Sequence, residues 1–147
     1  MVTLALLPIG IWIWSQVPDW TSSQRLASLP EAQLRYPDAE LLGNVGTNRS
    51  DGFFGKGATS ASWGMILGSH ASMQEILAFY DSQLMANDWA GSPTGTTTEE
   101  IAAYQWVRGD LRFRLGFTDP EALRERKPAS NRWATIFRLR IIERDRD

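Results

Sequence analysis

The residues with the most direct catalytic potential are a serine and a histidine just before the longest amphipathic segment. Ser69 and His70 are neighbours in the chain, and His70 is its only histidine. A Ser-His nucleophile needs the imidazole within hydrogen-bond reach of the hydroxyl, and an acid that orients the imidazole. Adjacent side chains point in different directions, and no nucleophile-elbow motif surrounds this pair. We therefore expect His70 to be a surface residue that precedes a helix.

A glycine-rich stretch around Lys56 has the composition of a phosphate-binding loop. Its GFFGKG spacing matches neither the P-loop nor the dinucleotide-binding fingerprint, and no helix follows it directly. We interpret residues 47–58 as a hairpin loop. Phe53 and Phe54 at its centre are either exposed, as candidate contacts to a membrane or partner, or folded back onto a sheet.

Metal and cofactor chemistry finds little support in the composition. The chain has one histidine and no cysteine, which argues against zinc, copper or haem ligation by this chain alone. Paired acids occur at residues 99–100 and 143–147, and the second set alternates with arginines, as in a solvated segment. We predict no metal, no cofactor and no catalytic residue. The net charge of −2 gives no global field that would select nucleic acid.

The apolar periodicity predicts an α+β domain in which a mostly antiparallel sheet packs on one long helix. Ser72 and Glu75 form a capping box before a helix over residues 73–86, and Asn87 suits the left-handed position that ends it. Residues 91–98 have the composition of a polar turn, and residues 119–127 of a short charged helix. Period-two alternation and turn signals predict strands over residues 39–45, 59–67, 101–107, 111–117 and 132–142.

Four arginines alternate with apolar residues on two of these predicted strands: Arg112, Arg114, Arg138 and Arg140. If the two strands share a sheet, the four guanidinium groups line its outer face. Such a face suits lipid headgroups or an acidic partner, and the alternative is an ordinary solvated face. RNA-binding sheets carry aromatic residues on that face, whereas here the aromatic residues fall on the apolar side.

The N-terminal segment has no charged side chain over residues 1–17. A cleaved signal peptide would begin with a basic region and end in a small-residue cleavage site, and neither is present. We predict a membrane-spanning helix over residues 1–20, with Trp12, Trp14 and Trp20 at the membrane interface. The alternative is an apolar element packed on the domain.

The predicted organisation is therefore a transmembrane anchor over residues 1–20, a connector over residues 21–37 and a soluble α+β domain over residues 38–147. The soluble part is large enough to form a core of its own. We expect the domain to stay folded without the anchor.

The chain contains a Tyr-Pro-x-Ala element and a Phe-Tyr-x-x-Leu helix that leads to a tryptophan. The residues concerned are Tyr36, Pro37, Ala39, Phe79, Tyr80, Leu84 and Trp89. In these elements the chain resembles a small α+β module carried by uncharacterised bacterial membrane-anchored and exported proteins. The resemblance implies an extracytoplasmic domain behind one N-terminal helix in the bacterial inner membrane, and no known activity. The chain departs from the pattern in lacking a basic stretch before the helix, and the arginines that follow the helix favour the opposite orientation.

The functional hypothesis is a non-catalytic accessory or assembly subunit of a larger membrane complex, such as a respiratory or photosynthetic assembly. Its partners would be membrane lipid and other protein subunits, with no nucleic acid. The alternative is a membrane-anchored hydrolase or ligand-binding domain of the cell envelope. A concave pocket that holds Glu99 or Asp110 beside His70 would favour this alternative.

Overall fold

The computed structural model describes residues 22–47, 60–119, 121 and 132–144. The predicted anchor over residues 1–20 lies outside these ranges, as does most of the predicted loop over residues 47–58 and of the predicted helix over residues 119–127. Within the described ranges, no helix combines the length and the apolar character that crossing a membrane requires.

A six-stranded antiparallel sheet forms the centre of the domain. Its strands are β1 (Glu40–Thr47), β2 (Ser62–Ser69), β3 (Ala90–Pro93), β4 (Glu100–Arg108), β5 (Leu111–Thr118) and β6 (Thr135–Glu143). Their order across the sheet is β1-β2-β6-β5-β4-β3, so the last strand that the structure describes lies in the middle of the sheet, between strands that come earlier in the chain. The antiparallel sheet and the α+β class agree with the prediction.

The long helix α2 (Met73–Met85) covers one face of this sheet, as its sequence predicts. The Ser72 hydroxyl accepts a hydrogen bond from the Glu75 amide, and the Glu75 carboxylate accepts one from the Ser72 amide, which completes the capping box. The helix buries Ile76, Tyr80 and Leu84, spaced four residues apart. The left-handed residue after the helix is Asp88, with φ of 64°, and not Asn87 as predicted.

Aromatic side chains fill the space between α2 and the sheet. The Tyr80 ring lies 5.9 Å from Phe113 and 6.1 Å from Phe137, centroid to centroid. Trp89 and Trp106 each pack edge-on against Phe113. These offset and edge-to-face contacts are the arrangements that aromatic quadrupoles favour, so they fix how the helix lies on the sheet.

The segment expected to be a connector also contributes to the core. It forms the short helix α1 (Ser22–Ala27) and a single 3₁₀ turn, Pro30–Gln33. Leu26 and Ala32 are buried within the same apolar cluster as the α2 stripe. Residues 22–33 therefore pack against the sheet together with α2.

The main departure from the predicted strands is β3, which falls partly in the predicted polar turn over residues 91–98. Its four residues pair with β4 at the sheet edge, and all four are exposed. Because none of its four side chains is buried, β3 shows no alternation of apolar and polar residues by which the sequence could predict it. The β4–β5 hairpin was predicted correctly: Arg108 pairs with Leu111, and Gly109 at φ of 58° makes the turn.

Candidate functional site

The four arginines named from the sequence lie together on the sheet face opposite α2. Strands β5 and β6 are neighbours, and their register places Arg114 directly opposite Arg140. Arg112 and Arg138 are two residues away from this pair along their strands, so they share the same face. We call Arg112, Arg114, Arg138 and Arg140 the arginine face. Like charges placed directly opposite each other destabilise a sheet, so the neutralisation of these groups decides what the face can do.

One of the four arginines is neutralised within the domain. The Arg114 guanidinium donates to both carboxylate oxygens of Glu100 at 2.6 Å and to the Gly95 carbonyl at 2.9 Å. Gly116 leaves the space for this carboxylate, because a Cβ there would collide with Glu100. Burial raises the pKa of Glu100, but the hydrogen bonds from Arg114 and from the Thr97 amide, together with the charge of Arg114, outweigh it and hold that pKa below its ordinary value.

Arg140 and Arg138 form a cationic pocket beside two hydroxyl groups. Arg140 donates to the Ser62 hydroxyl at 3.0 Å, and the hydroxyls of Ser62 and Thr47 are 2.8 Å apart. These four residues line a cavity of about 210 Å³ together with Val45 and Gly46. Burial, and then the charges of Arg138 and Arg114, lower the pKa of Arg140.

The positive charge of this pocket is not balanced by the part of the chain that the structure describes. Arg112, Arg138 and Arg140 make no ion pair with any described residue. Arg138 and Arg140 are half-buried, so water screens them less than it screens a fully exposed arginine. Guanidinium groups and hydroxyls that converge on one cavity can donate hydrogen bonds to a carboxylate or a phosphate group.

The Ser69 and His70 pair does not have the geometry of a nucleophile and its base. The buried Ser69 hydroxyl donates to the Asp38 carboxylate and accepts from the Ala71 amide at 3.0 Å. The His70 amide donates to the other Asp38 oxygen at 3.1 Å, while the imidazole of His70 lies 5.0 Å from the Trp133 ring. The Ser69 hydrogen bond lowers the pKa of Asp38. This cluster ties the β2–α2 connection to the start of β1.

The acids that would have supported catalysis by His70 lie elsewhere. Glu99 precedes β4, and Asp110 is in the β4–β5 turn. Neither lines a described cavity together with His70. Among the described residues, no three His, Asp or Glu side chains are grouped as they would be to hold a metal ion.

A cleft that was not predicted from the sequence lies on the helix side of the sheet, which we call the α2–β3 groove. Its volume is about 370 Å³. Two of its lining residues are joined by a hydrogen bond, in which the Trp106 indole N–H donates to the Asp81 carboxylate over 2.9 Å. Aspartate within an amphipathic helix carries no signal of its own, since a solvated position would look identical in sequence. The lining residues are Gln74, Leu77, Ala78, Asp81, Gly91, Ser92, Pro93, Tyr104 and Trp106.

A buried carboxylate is the other feature that was missed. Glu31 accepts a hydrogen bond from the Trp89 indole at 3.2 Å, and Arg108 lies 2.7 Å from the same oxygen. The Arg108 guanidinium also stacks over the Trp89 ring at 4.6 Å. Glutamate is almost never buried unless it is paired, and the pairing with Arg108 cannot be read from local sequence.

Five aromatic residues with predicted roles lie outside the described residues, so those roles stay predictions: Trp12, Trp14, Trp20, Phe53 and Phe54.

Comparison with protein families, with curated protein sequences and with solved structures found no match to this chain.

Proposed function

We propose that this protein is a non-catalytic accessory subunit that docks onto a larger membrane complex, and that the arginine face contacts an anionic surface of its partner. The observation that carries the proposal is the cationic pocket. Arg138 and Arg140 are adjacent and half-buried, and no described carboxylate neutralises them. Two positive charges side by side in a half-buried cavity repel each other, so this arrangement is unfavourable without a counter-ion.

The energetic argument follows from the register of the sheet. Arg114 opposes Arg140, yet the Glu100 carboxylate neutralises only one of the two charges. Burial lowers the pKa of Arg140 most, and repulsion by the charges of Arg138 and Arg114 lowers it further. A partner carboxylate placed between Arg138 and Arg140 would relieve that repulsion and gain charge-assisted hydrogen bonds. Complementary charge of this kind selects the partner and speeds the encounter.

The proposal extends to the location of the protein. Residues 1–20 serve as the anchor in the bacterial inner membrane, with Trp12, Trp14 and Trp20 at the interface, and the domain lies outside the cytoplasm. The support is the uncharged apolar sequence of residues 1–17 and the resemblance described above. An anchored domain meets its partner in two dimensions, so a modest interface is sufficient for a stable complex.

The competing function is a ligand-binding domain of the cell envelope, and the α2–β3 groove is the observation that favours it. The volume of the groove falls in the range of small-molecule sites, roughly 300–1,000 Å³. A hydrolase is less well supported, because Ser69 is engaged by Asp38 and the His70 ring lies against Trp133.

The docking proposal is tested by native size analysis of the full-length protein, extracted with its partners in mild detergent. We expect the wild-type protein to migrate with a larger complex, and Arg138→Gln/Arg140→Gln to migrate alone. The matched control is Arg35→Gln, a charge loss at an exposed position outside the arginine face. Each lost charge-assisted contact should weaken docking at least about tenfold.

Two results would count against docking through the arginine face. The first is a wild-type protein that migrates as a lone monomer in every mild detergent. The second is a complex that survives the double substitution as well as it survives Arg35→Gln. Circular dichroism of each variant first establishes that the domain is folded.

A further inference from the structure

The α2–β3 groove is large enough to hold a small molecule. Its main cavity of about 370 Å³ is continued by a second cavity of about 160 Å³, and the two share Gln74, Leu77 and Tyr104. The second cavity extends the groove along α2 toward Met73 and Phe117. An elongated ligand therefore has room for one end near Asp81 and for an apolar body along the helix.

The charge of the groove has one sign. Asp81 is the one charged side chain among the described residues that line it. Helix α2 carries Glu75 in addition to Asp81, and no lysine or arginine. The groove lies on the opposite side of the sheet from the arginine face, and the one charged side chain in its lining is an acid, which favours a cation. A cleft lined by one sign of charge raises the local concentration of the opposite ion.

The Asp81 carboxylate is held in place by a buried group. The Trp106 indole is almost fully buried, and its N–H donates to Asp81 Oδ1 at 2.9 Å. The backbone of β3 closes on the indole at Gly91, where a Cβ would collide with Trp106. No described residue donates a hydrogen bond to Asp81 Oδ2. This leaves a fixed acceptor at the end of an apolar groove.

The walls of the groove complement the carboxylate. Leu77, Ala78 and Pro93 supply apolar surface, and the half-buried Tyr104 supplies an aromatic ring. A cation beside an aromatic face is stabilised by the ring quadrupole. We propose that the α2–β3 groove binds a small organic cation, in which an ammonium group on Asp81 is joined to an apolar or aromatic body. This proposal gives a ligand class to the ligand-binding alternative described above, and it does not rest on the docking function.

The test is a titration of the full-length, ¹⁵N-labelled protein with tryptamine, followed through the Trp106 indole N–H resonance. Trp106→Phe identifies that resonance by its loss. Indole-3-acetate is the matched probe, because it has the same ring and the opposite charge. We expect tryptamine to shift the Trp106 signal saturably and indole-3-acetate to leave it in place.

Asp81→Asn removes the charge and keeps an oxygen that accepts the Trp106 N–H. This substitution should weaken tryptamine binding at least about tenfold, since the ammonium group then meets a neutral amide oxygen in place of a carboxylate. Asp88→Asn removes an equal charge outside the groove, at a left-handed position that asparagine tolerates, and should leave binding unchanged.

Three results would overturn the proposal. One is equal binding of tryptamine and indole-3-acetate. Another is an unchanged tryptamine affinity in Asp81→Asn. The last is the absence of a saturable Trp106 shift with tryptamine, phenethylamine and choline alike.

Discussion

Arg108 and Glu31 form an ion pair whose two halves should differ in their effect on stability. The Glu31 side chain is 7% exposed and the Arg108 side chain is 37% exposed. Glu31 Oε1 accepts from the Trp89 indole and faces Arg108, whereas Oε2 is buried without a hydrogen bond from any described residue. We expect removal of the more exposed partner, Arg108, to destabilise the protein more than removal of the buried one.

The magnitudes follow from what each substitution leaves behind. Arg108→Ala leaves a buried carboxylate without its cation, which costs about 3–5 kcal/mol when a buried pair is broken. Glu31→Ala leaves the Trp89 indole N–H without an acceptor, at about 1–3 kcal/mol. The Arg108 charge that remains after Glu31→Ala can be hydrated, because that side chain is partly exposed, so its loss of pairing adds only about 1 kcal/mol or less.

The assay is urea unfolding of the full-length protein, followed by far-UV circular dichroism, with Arg112→Ala as the control. Arg112 is an arginine without an ion pair to any described residue, and its loss should change the free energy of unfolding by about 0.5 kcal/mol or less. Glu31→Ala/Arg108→Ala should cost less than the sum of the two single changes, because the unpaired carboxylate is absent. An Arg108→Ala variant that loses less than about 1 kcal/mol would refute this account of Glu31.

Three further predictions follow from the capping, the charge pairing and the packing. Ser72→Ala removes the cap of α2 and should lower the free energy of unfolding by about 1 kcal/mol in urea; an unchanged value would contradict the role of the capping box. Hydrogen bonds from Arg114 and Thr97 and the charge of Arg114 outweigh burial and lower the pKa of Glu100 in the folded protein. The ionised carboxylate therefore stabilises the fold above the ordinary pKa of 4.5 and loses this effect as the pH falls through the folded pKa. Glu100→Gln should therefore flatten the loss of stability on acidification, and an identical pH profile would contradict it. Gly64→Ala should destabilise by about 1–3 kcal/mol because its Cβ would collide with the backbone of β6, whereas Gly43→Ala has open space and is the control in the same thermal unfolding experiment.

The parts of the fold that could be predicted are those with local signals. Ser72 and Glu75, three residues apart, indicate the start of α2 because their side chains form a capping box, and the buried residues of the helix repeat at helical spacing. The alternation of arginines with apolar residues likewise predicts that Arg112 and Arg114 share one face of their strand, and that Arg138 and Arg140 share one face of theirs, because side chains alternate along any strand. That β5 and β6 are neighbours in one sheet, which brings the two pairs of arginines together, could be seen only in the structure.

The parts that could not be predicted depend on pairings distant in sequence. A β-bulge between Glu100 and Ala102 shifts Glu100 relative to a regular hairpin, and this shift helps bring it to Arg114. No local pattern marks such a bulge. The burial of Glu31 depends on Arg108, far along the chain, and the α2–β3 groove depends on a strand formed only by backbone pairing.

The central position of β6 has a consequence for the synthesis of this protein. Until the ribosome has made Thr135–Glu143, β2 and β5 have no strand between them, and each presents an open edge. Strand pairings this distant in sequence form slowly, and the apolar surface of the unpaired strands stays exposed until they form. A nascent chain, or one cut short before Thr135, therefore carries two unsatisfied edges at once and is expected to be bound by chaperones or degraded.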